Sequence, residues 1–224
     1  MSVFCLVHGS AQSAEGWNLL VPELEKRGHA VIRPTLPADA RDASATHYAR
    51  IIADSIPANV RDVIVVAHSA SCAFLPLVAE IRPVSRIVFL AGVIPQIGTS
   101  ILGQIQADPT LMNPAWIGKN PVTDDDVARE FLFHDCSPEV QDWALTTRRL
   151  MFAVRAMTET CPLEKWPDVP ASYIVCADDR TVQPEWSRRA ARERLGIEAI
   201  ELPGGHCPYV SRPAELARVL TELA

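Results

Sequence analysis

Val63-Ile64-Val65-Val66 is an unbroken β-branched apolar run, which suits a strand buried on both faces better than one alternating between core and water. The run breaks at Ala67-His68-Ser69-Ala70-Ser71. Cys72, Ala73, Phe74, Leu75, Leu77 and Val78 then resume at helical spacing, with Pro76 inside the first turns, where a missing N–H is tolerated. Strand, tight turn and helix thus follow one another directly. A chain assembled from such units is restricted to a parallel sheet covered by helices.

The same rhythm runs from the first residues onward. Strands are expected over 3–7, 30–33, 63–66, 86–91, 171–177 and 197–201. Helices are expected from Gly16-Trp17 to the basic turn and glycine at Lys26-Arg27-Gly28, then over 45–56, 184–195 and 213–223, the last with Pro213 in its first turn. The fold class is therefore α/β, with about six parallel strands flanked by helices. Between 94 and 166 the rhythm changes to Pro, Asp, Met and Trp, with helical periodicity over 125–133 and 138–157 and no convincing strand. This stretch reads as a helical cap inserted in a single domain spanning 1–224, its Asp124-Asp125-Asp126 run favouring a helix N-terminus.

Composition narrows the partners. A net charge of −6 with no Lys/Arg cluster argues against nucleic acid or an anionic membrane, and points to a small-molecule substrate. No basic leader is evident and no apolar run approaches the ~20 residues of a membrane span, so a cytoplasmic protein is expected. Six scattered cysteines without C-x-x-C fit buried thiols in a reducing compartment. His134-Asp135-Cys136 and His206-Cys207 put potential ligands side by side, but adjacent residues rarely share a metal, so neither metal nor other cofactor is expected.

The polar residues that could carry chemistry all stand just after predicted strands, where open α/β sheets collect their ligands. These are His8-Gly9-Ser10, Ser69, Asp178-Asp179-Arg180 and Gly204-Gly205-His206. Ser69 sits at the tip of the strand-turn-helix, with the next backbone N–H free to face developing negative charge. The usual G-x-S-x-G has small residues two positions either side of the serine; here they are Ala67 and Ser71. The order Ser, Asp, His is that of an α/β-hydrolase triad. Periodicity does not choose between Asp178 and Asp179.

The motifs LVHGS-x6-W, AHSAS, DDRTVQPEW and PGGHCPYVSRP make the chain resemble α/β-hydrolases, and among them the small plant methyl-ester esterases and hydroxynitrile lyases. The resemblance implies Ser69 as nucleophile, His206 as general base and acid, and Asp179, five residues before Pro184, as the acid that orients the imidazole. It implies backbone N–H groups of Ser10 and Ala70 as the oxyanion hole. The expected activity is cofactor-independent hydrolysis of small carboxylic esters or related acyl compounds through an acyl-enzyme. A lyase, cyclase or acyl-transfer enzyme on the same scaffold is the alternative, although Cys207 and Gly9 replace the lysine and hydroxyl residue of the hydroxynitrile lyases. A non-catalytic ligand-binding protein is a third reading, favoured only by Ala67 and Ser71. Trp116, Phe131, Phe133, Trp143 and Met151, with His134, are the candidates for a substrate pocket, although helix-spaced aromatics more often serve as core. His8 reads as a loop brace and His68 as pointing away from Ser69.

Overall fold

The computed structural model describes residues 1–38, 40, 42–150 and 154–224. Its centre is a six-stranded parallel sheet: β1 (Val3–Val7), β2 (Ala30–Ile32), β3 (Val63–His68), β4 (Arg86–Leu90), β5 (Ala171–Cys176) and β6 (Ile200–Leu202), in the order β2-β1-β3-β4-β5-β6. The chain leaves β1 in one direction to form β2, then returns to lay β3 on β1's other side. That reversal puts a crevice beyond the carboxyl ends of β1 and β3. Because Val7 pairs with Ala67, the residues after β1, His8 to Ser10, emerge beside His68 and Ser69.

Every residue of β3 is buried, as its unbroken apolar run requires. Its side chains alternate between two cores. Val63, Val65 and Ala67 face α2 (Ala45–Ser55), α3 (Leu75–Ile81) and α8 (Pro184–Ala190), through Tyr48, Ile52, Leu75, Val78 and Trp186. Ile64 and Val66 face α1 (Val21–Glu25) and α10 (Pro213–Glu222), through Leu24, Leu216 and Leu220. A short α9 (Pro208–Ser211) precedes α10.

Between β4 and β5 lie α4 (Ile101–Ala107), α5 (Asp125–Phe131), α6 (Pro138–Thr146) and α7 (Val154–Thr158). The helix expected over 138–157 is not continuous. The Ser13 hydroxyl donates to the Thr147 carbonyl at 2.8 Å and the Arg149 N–H donates to the Ala11 carbonyl at 3.4 Å, so the loop after β1 takes backbone groups that would otherwise have extended α6. The sequence reading also missed α4, whose N-terminus is capped by Ser100 Oγ accepting from Gly103 N at 2.9 Å. The segment shares both cores: Ile101, Leu111 and Ala156 join one, Ala128, Leu132 and Phe133 the other. One bridge, Met112 with Val182, pairs the segment antiparallel to the loop after β5.

Candidate active site

β3 ends at His68, and the next residue turns sharply. Ser69 has φ 56°, a left-handed value that β-carbon-bearing residues adopt at a cost of roughly 1–3 kcal/mol. From Ser69 a 3₁₀ turn (Ser69–Phe74) leads into α3, with Pro76 in its first turn. The close approach of neighbouring backbones makes the turn possible. A Cβ on Gly9 would lie 2.9 Å from His68 Nδ1 and 3.1 Å from Ser69 Cβ, while one on Gly92 would overlap Cys72 Sγ and Ser69 O. Ser71, the position usually held by glycine, is fully buried and donates its hydroxyl to the His8 carbonyl at 2.6 Å, tying the turn to the loop after β1.

Ser69 Oγ lies 3.1 Å from His206 Nε2, and His206 Nδ1 lies 2.8 Å from Asp179 Oδ2. His206 and Asp179 are buried, at 3% and 8% exposure. The carboxylate fixes the tautomer: Nδ1–H donates to Asp179, which leaves Nε2 free to accept from the serine hydroxyl. The other carboxylate oxygen, Oδ1, accepts from Thr181 N at 2.7 Å, Val182 N at 3.2 Å and Thr181 Oγ1 at 2.9 Å. Asp178 faces elsewhere and braces the loops, with Oδ2 accepting from Gly204 N at 3.1 Å.

Two neighbouring histidines hold the frame. His8 donates from Nδ1 to the Gly9 carbonyl at 3.0 Å and accepts the Leu36 N–H at Nε2 at 3.1 Å. His68 points away from Ser69, donating from Nε2 to the His206 carbonyl at 2.8 Å, with Tyr209 Oη 3.3 Å from Nδ1. Burial pushes both imidazoles below their ordinary pKa, and for His68 the charge on nearby His206 adds to the effect. Both are built into the fold as neutral rings.

A cavity of about 320 Å³ opens on Ser69, Ser10 and Ala70. Among the described residues the rest of its wall is Val93, Ile101, Leu102, Ile105, Met112, Trp116, Val154, Met157, Thr158, Thr181 and Val182. Of the aromatic candidates, only Trp116 is in this wall. Phe131 is buried behind it, ring centroids 5.5 Å apart, and Phe133 and Trp143 pack against the core on the α1 and α10 side. Helical periodicity finds the buried face of α5 and α6 but not which buried face borders the cavity. His134 is drawn off the pocket by the Asp178 carbonyl, 3.1 Å from its Nε2, and Met151 lies outside the described residues.

Three positions escaped the sequence reading. Thr181 Oγ1 sits 2.6 Å from His206 Nδ1 as well as bonding Asp179, so its hydroxyl bridges imidazole and carboxylate. Asp135 Oδ2 accepts from Gly205 N at 2.8 Å, one residue before His206. Asn113 N donates to the Thr181 carbonyl at 2.8 Å. The DDRTV motif contained Thr181, but only the third dimension aims its hydroxyl. Asp135 and Asn113 reach the site from far along the chain.

The sequence pattern of the alpha/beta hydrolase family matches residues 6–219. The chain belongs to that family. Among its relatives are salicylic acid-binding protein 2 of Nicotiana tabacum, 29% identical over 99% of this chain and 96% of the relative, and a pyrethroid hydrolase of Sphingobium wenxiniae, 26% identical over 98% and 86%. The crystal structure of polyneuridine aldehyde esterase superposes with a TM-score of 0.82 at 22% identity, covering 100% of this chain and 99% of that one. For this alpha/beta hydrolase the described residues contain no helix long and apolar enough to cross a membrane, and no group of three or more His, Cys, Asp or Glu able to hold a metal ion.

Proposed function

We propose that this protein is a cofactor-independent serine hydrolase of small carboxylic esters, working through an acyl-enzyme. The observation that carries the reading is the unbroken chain from Ser69 Oγ through His206 to Asp179, with the serine held on a strained turn at the mouth of an apolar cavity. Ser69 Oγ attacks the ester carbonyl while His206 Nε2 takes its proton. Asp179 steadies the imidazolium through Nδ1–H. The backbone N–H groups of Ser10 and Ala70, both lining the cavity, are the proposed donors to the oxyanion. His206 then returns the proton to the departing alcohol, and water, deprotonated by the same imidazole, releases the acid.

The helical segment over 94–166 is proposed to act as the cap of the single α/β-hydrolase domain, closing the cavity over Ser69. All six cysteines are free, Cys5, Cys72, Cys176 and Cys207 among them buried, which favours the cytoplasm as the working compartment. Relatives named pyrethroid hydrolase and methylesterase 7 support ester chemistry at a coarse level. The test is covalent labelling by a fluorophosphonate probe together with a screen of aryl and alkyl esters. Ser69-dependent labelling and turnover are expected; equal labelling of Ser69→Ala would remove the assignment.

A further inference from the structure

We infer that the site selects neutral esters bearing an apolar arm longer than the cavity, and that it rejects esters whose cavity-filling arm carries an ionised carboxylate. This rests on the ester-hydrolase reading above and specifies its substrate class. The cavity wall supplies the first half of the argument. None of the described residues lining it is charged, and apart from Ser69 and backbone groups its polar side-chain atoms are the hydroxyls of Ser10, Thr158 and Thr181 and the indole N–H of Trp116, a donor that carries no charge. The Thr181 hydroxyl is already engaged by Asp179 and His206, and that of Thr158 donates to the Val154 carbonyl at 2.9 Å. An anion entering this space would lose its water and meet no cation, which costs several kcal/mol even in a relaxed protein interior.

The rim supplies the second half. Leu102 and Val154 line the cavity and yet are 41% and 60% exposed, and Ile117, beside the lining Trp116, is 63% exposed. Large apolar side chains left in water at the border of an apolar cavity prolong its surface outward, and contiguous exposed apolar surface marks a place where apolar groups bind. The occupant assigned to this rim is the substrate's own arm, because the same two side chains belong to both the cavity and the rim. A chain too long for the cavity continues over them instead of returning to water.

The test compares kcat/KM for p-nitrophenyl acetate, butanoate and octanoate below their aggregation concentrations, with ethyl and octyl acetate as the reversed series, and methyl hexanoate against the monomethyl ester of adipate at pH 7.5. One of the two chain-length series should rise, by up to about fourfold per methylene while the chain is being buried. Methyl hexanoate should exceed monomethyl adipate by at least about 10²-fold. Leu102→Asp and Val154→Asp, both at exposed positions, should lower the long-to-short ratio in the rising series by at least about fivefold. Flat profiles in both series, equal rates on the adipate ester, or an unchanged ratio in both variants would overturn the inference while leaving a Ser69-dependent esterase standing. If no ester turns over and no fluorophosphonate labels Ser69, the ester-hydrolase reading itself falls, and the inference with it.

Discussion

Ser69, Asp179 and His206 hang from the ends of β3, β5 and β6, while Ile101, Trp116 and Met157, which face them across the cavity, come from the helices and loops between β4 and β5. The first group is held by short hydrogen bonds between buried polar atoms, and the second by apolar packing and a few backbone ties such as Asn113 N to the Thr181 carbonyl. The difference teaches what each region can vary. Polar geometry at the strand ends tolerates little change, because each buried donor needs its acceptor. The apolar wall can exchange side chains of similar volume and so reset which substrate fits.

Substitutions can break or sharpen that contrast. Ser69→Ala should lower kcat by up to about 10⁶, as loss of the nucleophile does in serine proteases, and abolish fluorophosphonate labelling. The adjacent carboxylates come next. Asp179→Asn should cost as much as ~10⁴ in kcat by favouring the wrong imidazole tautomer, whereas Asp178→Asn should stay within about tenfold, ~1.4 kcal/mol in the barrier. A reversed pattern in steady-state rates would show the acid misassigned by one residue.

Thr181→Val removes the hydroxyl bridging imidazole and carboxylate and should lower kcat by roughly 10- to 10²-fold, the scale of one hydrogen bond to a charged group. Thr181→Ser, which keeps the hydroxyl, should retain most of the parent rate; a loss in Thr181→Ser with none in Thr181→Val, which keeps the methyl, would mean that the methyl group's packing matters and the bridge does not. In the wall, Trp116→Ala should raise KM by about tenfold with kcat nearly unchanged, since it removes binding surface common to ground and transition states. A fall in kcat with KM unchanged would erase the division between the two regions.

The smallest effect is on stability against pH. His68 is held neutral by burial, so its folded pKa lies below the ordinary value near 6.5. The unfolded chain then binds the proton more readily, and stability is lost as pH falls below about 6.5 toward the folded pKa. Stability should therefore be lower at pH 5.5 than at pH 7.5, and His68→Gln should reduce that loss in urea titrations at the two pH values. An undiminished acid loss in the variant would assign the effect to other groups.

The unbroken run in β3 and the recurrence of polar loops after apolar strands were legible in the sequence because each depends on residues close along the chain, while the order Ser69, Asp179, His206 took its meaning from the family resemblance. Strand periodicity and turn chemistry are local, and so the sheet, its flanking helices and the loops that gather at one edge followed from them. Periodicity left Asp178 and Asp179 open, and the expectation of Asp179 came from the family resemblance, which counts five residues back from Pro184. The break after α6, the hydroxyl of Thr181 and the reach of Asp135 to Gly205 were not legible. Each depends on partners brought together by the order in which β1, β3, β5 and β6 lie side by side. The same holds for the pocket. Helical spacing marked Trp116, Phe131, Phe133 and Trp143 as apolar alike, and only their packing decided that Trp116 borders the cavity as well as the core, with Phe131 against its ring and Phe133 and Trp143 in the core alone. A periodic pattern says which face of an element avoids water; what that face meets is set by the elements packed against it.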